Sequence, residues 1–340
     1  MRFSFVRSVP AFLAMLTLIG AIGFSSGAAS ASSAYQEINL TSNMPGMAHH
    51  TDPNLVNGWG MAAFPGSPFW ISDNATGLST LYDGHGAPQS LVVTIPAASE
   101  QPAGTVGTPT GIVANATSAF VVSENGASGP GFFLFDTLDG TISGWNPSVD
   151  LNHAVVAVDE FSSHALFTGL AVAKTMHGPR LYAADAVNNR IDVFDGTFRK
   201  MFSFTDPTVP NGFSVYAVHL VQGFIFVTFT SQSNNPGGVV DIFDFNGRFI
   251  KRFASNGSSG PLEAPWGIAA AGAHFGVFSN ALLIANESDG HISAFNAKTG
   301  AFLGQMKDAQ GNTFAIPGLW SIEFGSGGGA NGNADELFFS

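Results

Sequence analysis

The feature that most constrains the fold is a short signature repeated six times: an aromatic residue or Thr, a small residue, an aliphatic residue, then usually Ala or Val. It reads Trp59-Gly60-Met61-Ala62, Thr110-Gly111-Ile112-Val113, Thr168-Gly169-Leu170-Ala171, Tyr216-Ala217-Val218-His219, Trp266-Gly267-Ile268-Ala269 and Trp320-Ser321-Ile322-Glu323. Successive copies lie 51, 58, 48, 50 and 54 residues apart, a period that holds four short strands with their turns and is typical of propeller blades. Between signatures, runs of β-branched and aromatic residues alternate with Gly- and Asn-rich turn signals, with almost no helical periodicity. A second strand is expected at 69–72, 120–123, 181–184 and 282–285, running into Asp73, Glu124, Asp185 and Asn286 respectively. Third strands are expected at 79–82, 131–135, 190–194, 239–243 and 291–295, and fourth strands at 91–95, 154–158, 198–204, 249–253 and 301–306. The expectation is an all-β, six-bladed β-propeller filling residues 35–340 as one domain.

The last blade is expected to be incomplete: after 319–324 the sequence offers only the apolar run 336–339. Residues 35–41, which precede the first signature and have no blade of their own, are assigned as its outer strand, closing the ring from the N-terminal side and hiding exposed edges. Its third strand has no source in this reading, which implies a natural sequence about one strand longer than Ser340 allows.

Residues 1–31 have the plan of a secretory signal: Arg2 and Arg7, an apolar run over 9–24, then small residues ending Ala29-Ser30-Ala31. Cleavage after Ala31 and a secreted or periplasmic location are expected. No further apolar run is long enough to span a membrane.

Composition narrows the partners. Twelve Lys plus Arg against 24 Asp plus Glu give a net charge of −12, which repels phosphate backbones and anionic lipid and excludes nucleic acid as a partner. Charged residues make up 11% and hydrophobic ones 45%, the balance of a chain with a large core. With no Cys, disulfides, thiolate metal sites and cysteine nucleophiles are excluded together. A monomer is expected.

Leu181-Tyr182-Ala183-Ala184-Asp185, followed by Asn188-Asn189-Arg190-Ile191-Asp192-Val193-Phe194-Asp195-Gly196, resembles an NHL repeat, a blade type of six-bladed propellers. The string from Thr51-Asp52-Pro53 to Asn57-Gly58-Trp59-Gly60, with Trp70-Ile71-Ser72-Asp73-Asn74 and Gly77-Leu78-Ser79-Thr80-Leu81-Tyr82, resembles an uncharacterised family of exported bacterial proteins with NHL-like propellers. That resemblance covers nearly all of the chain after residue 31 and implies the fold but no reaction. The chain differs in having Gly58 where Pro is common, and in stopping at Ser340.

In such a ring one face collects the loops entering the inner strands and those joining second to third strands. Asp52, Asp73, Glu124, Asp185, Asp206 and Asn286 are placed on that face around the channel mouth. Their oxygens suit a divalent cation such as calcium, or they cap their own turns. Thr51-Asp52-Pro53 and Thr205-Asp206-Pro207 open two copies of one eight-residue string, each ending Asn-Gly, and a shared loop conformation explains it. His219 and Glu323 replace the usual Ala or Val of the signature and need partners or channel water. No elbow, zincin, P-loop or dinucleotide motif is present. The expected function is ligand binding at that face, of a small molecule, carbohydrate, peptide or protein. The alternative is a metal-dependent lyase or lactone hydrolase with a cation at the channel mouth.

Overall fold

The computed structural model describes residues 2–10, 33–231, 237–257 and 260–340. The first blade pairs Gly58–Ala62, Phe69–Asp73, Leu78–Tyr82 and Pro88–Thr94 in order from the channel outward, all antiparallel. Blades three, four and five repeat this plan behind the inner strands Phe167–Thr175, Phe213–Val221 and Pro265–Ala270. In blades one to five the signature carries a β-bulge. Gly58 faces Asp73 and Met61 faces Ile71, so three steps on the inner strand match two on its neighbour, and the same shift recurs beside Ile112, Leu170, Ala217 and Ile268. A bulge turns one side chain out of the pleat.

The small residue of the signature answers to crowding between blades. A Cβ on Gly60 would lie 2.5 Å from the Thr110 carbonyl oxygen, one on Gly111 2.5 Å from the Leu170 nitrogen, and one on Gly267 2.5 Å from the Trp320 carbonyl oxygen. Inner strands of adjacent blades thus approach backbone to backbone, and only Gly fits without a shift. At Gly169 the nearest atom of blade four is 3.3 Å away, a looser contact. The core is correspondingly divided into layers between neighbouring blades. One layer joins Trp70 and Leu81 of blade one to Phe133 and Phe135 of blade two, and another joins Ile284 and Phe295 of blade five to Val240 and Phe253 of blade four.

Blade two departs from the expectation. Its strands are Pro109–Ala114, Phe133–Thr137, Thr141–Trp145 and Val155–Asp159. The run at 120–123 instead forms a hairpin apart from the blade, Val121–Glu124 against Ala127–Pro130, turned by Asn125 and Gly126 at φ 49° and 84°, the conformation that Asn-Gly favours. Phe133, Leu134 and Phe135 are buried in succession, whereas in the other run Phe120 and Val122 are buried but Val121 is 47% exposed, so the run that is covered on both faces takes the place beside the inner strand. Glu124 therefore ends a side hairpin, not a second strand.

Blade six is closed from the N-terminal side. Its order is Ile322–Phe324, Glu336–Phe339, Arg2–Pro10, Ser33–Ser42, with His50–Thr51 added in parallel at the outside. The outer strand is the expected one. The third, which had no source in the sequence reading, is Arg2–Pro10, and the blade is complete. Of the expected signal segment, residue 1 and residues 11–31 lie outside the described residues. Among the described residues no helix is long and apolar enough to cross a membrane.

Candidate functional site in the propeller channel

Asp73, Asp185 and Asn286 close their second strands opposite Gly58, Phe167 and Pro265, the first residues of their inner strands, and so mark one end of the ring. Each is fully buried and engaged locally. Asp73 accepts from the Thr80 hydroxyl at 2.7 Å through Oδ2, while Oδ1 has no hydrogen-bond partner among the described residues. Burial pushes its carboxyl well up, and nearby Asp52 adds to the rise. Asp185 accepts from the amides of Leu166 and Asn188 and from the Asn188 side chain, with Arg190 at 3.5 Å. Asn286 donates to the Pro261 carbonyl at 3.0 Å.

Asp52 and Asp206 share one turn. Asp52 Oδ1 accepts from the Asn54 amide at 2.9 Å, and Asp206 Oδ1 from the Thr208 amide at 2.7 Å, the aspartate turn of the repeated string. Asp52 also accepts from the Tyr82 hydroxyl at 2.8 Å. Asp206 meets Arg252 Nη2 at 2.7 Å, and the same guanidinium holds Asp241 at 3.0 Å. Burial raises Asp241 to about 7, with the Arg252 hydrogen bond opposing it. Burial pushes Asp206 up too, but the Thr208 bonds and Arg252 outweigh it and its carboxyl is held low. Asp241 drew no notice in the sequence because it sits mid-strand among apolar residues.

In blade two Asp136, one position before the strand end, accepts from the Gly111 amide and the Thr110 hydroxyl. It serves the inner-strand bulge as Thr228 does for the Ala217 amide, and in blade six the Ser340 hydroxyl accepts from the Ser321 amide. Glu124 is part-exposed and pairs with Ala127 in the side hairpin. Among the described residues no three His, Asp or Glu side chains gather closely enough to hold a metal ion.

At this end the channel is filled. Trp59, Trp266, Trp320 and Ala217 pack together with Tyr216 and Leu138 against them. Trp59 stacks on Trp320 at 3.7 Å between centroids, and Trp266 meets Trp320 edge-on at 6.1 Å. Trp266 is fixed by its Nε1–H donating to the Thr168 carbonyl at 2.9 Å. The aromatic position of the signature therefore builds a stopper.

Beyond the stopper lies a cavity of about 240 Å³, lined by the later residues of all six inner strands. Backbone, Gly, Ala and aliphatic side chains make most of its wall, and His219, Ser321 and Glu323 are its polar side chains. His219 faces Phe226, near the Val221–Phe224 hairpin, and Glu323 faces Phe338, so both belong to the end opposite the buried acids. Each is half-buried and lines the cavity. His219 Nε2–H donates to the Trp266 carbonyl at 2.6 Å, which leaves Nδ1 as the acceptor. Burial lowers its pKa to about 4 against that bond. Burial raises Glu323 to about 8, with the Ala63 amide opposing it. Both shifts favour the uncharged form, a neutral imidazole and a neutral carboxylic acid.

No family model matches the chain. An uncharacterized protein of Acanthamoeba polyphaga mimivirus is 30% identical over 297 residues, which cover 82% of this chain and 71% of that protein. The chain belongs to its family. Among solved structures, the Kuenenia stuttgartiensis hydrazine synthase superposes with a TM-score of 0.51 at 14% identity, over 84% of this chain and 75% of its own. A catalytically inactive virginiamycin B lyase from Staphylococcus aureus with quinupristin gives 0.50 at 14% identity, over 90% and 84%. At this identity the two share the fold with this chain and nothing finer.

Proposed function

We propose that the protein is an exported propeller that binds a small uncharged polar molecule, of about monosaccharide size, in the channel beneath the aromatic stopper. The observation that carries this reading is the placement of two polar side chains, His219 and Glu323, in the wall of an otherwise mainly apolar cavity. The Glu323 acid is a donor and His219 Nδ1 an acceptor, and a few placed polar groups in an apolar pocket are what orient a small ligand. The net charge of −12 disfavours anions. Export rests on the leader-like residues 1–31. Those acids of the loop-bearing face whose partners are seen act in this reading as turn and strand caps, so no cation is assigned to them.

A second reading, acid–base catalysis in the same cavity, is favoured by the opposed shifts of the two groups. One keeps its proton and the other stays free of it at pH 7, the arrangement that divides acid and base roles. Calorimetry with a panel of monosaccharides, polyols and small amides tests both readings. A binder should raise the melting temperature by several degrees at about a hundredfold excess over Kd. That rise should disappear in Glu323→Ala and His219→Ala. Equal shifts in parent and variants would move the site elsewhere, and consumption of the binder would select the catalytic reading.

A further inference from the structure

We propose that the third position of blade six is a strand-acceptor site, which docks an extended partner segment of the pattern aromatic-x-aromatic-aliphatic by β-addition. Arg2–Pro10 fills it here and displays what the site demands. It pairs with Ser33–Ser42 along its length and with Glu336–Phe339 through Ser4 to Arg7, so backbone groups are satisfied on both edges. Phe3 and Val6 are fully buried and Phe5 is 7% exposed. The Phe3 ring sits 5.5 to 5.7 Å from Tyr82, Phe338 and Phe69, and Phe5 lies 5.5 Å from Phe338. Main-chain pairing thus supplies affinity and shaped pockets for alternate side chains supply selectivity, the two parts of strand addition.

The second observation is that Arg2–Pro10 belongs to the leader-like tract, so this inference rests on the export part of the proposed function. Cleavage after Ala31 would remove the strand and leave its flanking edges and aromatic pockets behind. Two unpaired edges beside an open apolar pocket are a poor end state in water, and a strand supplied in trans resolves both. The full chain keeps the site closed, and release of the leader opens it.

The test avoids export altogether. A specific protease sequence is placed within residues 11–32 of the full chain and cut after folding. A fluorescein-labelled synthetic peptide of residues 2–10 is then added in excess and followed by anisotropy and native mass spectrometry. The cut protein should exchange its own segment for one labelled peptide, and the uncut protein should take up none. A peptide carrying Phe3→Ser and Phe5→Ser should bind on the order of a hundredfold more weakly or worse. Retention of the original segment without exchange, equal uptake of the Ser peptide, or loss of the segment followed by self-association that excludes the peptide would each overturn the proposal. None of these outcomes depends on where the chain is exported.

Discussion

Glu323 and His219 store opposite proton preferences, and each has its own pH window. Glu323 rises from 4.5 to about 8 on folding, so the folded state binds the extra proton. Its contribution is most favourable below pH 4.5 and is lost as pH rises to about 8. Replacing it by Gln removes that slope, so Glu323→Gln should gain stability relative to the parent as pH goes from 4.5 to 8, with no further change above. Urea midpoints across that range check this, and a flat difference would mean the carboxyl is not held neutral. His219 falls from 6.5 to about 4, so stability is lost as pH drops through that interval, and His219→Gln should gain on the parent only on the acid side of 6.5. Arg252 poses a different risk. It bonds the carboxyl groups of both Asp206 and Asp241, and both are buried. Arg252→Met should destabilise the protein by about 2–4 kcal/mol at pH 8, because removing one partner leaves charge buried without compensation. The loss should shrink toward pH 5, where Asp241, at about 7, takes up its proton instead. A loss independent of pH would point to lost packing of the Arg stem.

At the scale of strands, the ring was legible wherever the chemistry of neighbours repeats, and illegible where two segments compete for one position. The signatures and the second strands of blades one, three and five could be read because an apolar run ends at one acid or amide opposite the start of the inner strand. In blade two both 120–123 and 133–137 satisfy that description, and only packing decides: Phe133, Leu134 and Phe135 are buried against blades one and three. Glu124 therefore looked like Asp73 in the sequence while occupying a side hairpin. Arg2–Pro10 was hidden for another reason, since two Arg and a following apolar run describe an export leader as well as a strand. The buried pair at the channel was visible only as two breaks in a pattern, His219 and Glu323 where Ala or Val recurs, with no hint of which end of the channel they face. Phe338 tests the strand assignment of blade six. It contacts Phe3, Phe5 and Phe69, so Phe338→Ala should cost about 3–5 kcal/mol in the full chain. A loss below about 1 kcal/mol would mean that these rings do not pack as one layer.

For the whole molecule, closure and channel depend on how tightly adjacent inner strands approach, and the signature glycines set that distance. Gly60, Gly111 and Gly267 each face backbone of the next blade at 2.5 Å from where a Cβ would sit, whereas the contact at Gly169 is 3.3 Å. Blade four already carries Ala217 at the equivalent position, and blade six Ser321, so the ring tolerates a larger residue at some of its interfaces. This asymmetry yields a paired test with one chemistry and two outcomes. Gly111→Ala must push blade three away from blade two, because the obstructing atom is main chain and no rotamer can relieve it. The expected loss is about 1–3 kcal/mol, or several degrees in melting temperature for a domain this large. Gly169→Ala needs its neighbour to yield only a few tenths of an ångström, and the reduced freedom of the unfolded chain offsets part of that strain by about 0.4–1 kcal/mol. Its melting temperature should therefore lie close to that of the parent. If both variants melt alike, blade spacing is governed by the apolar layers between the sheets and not by contact at the channel wall.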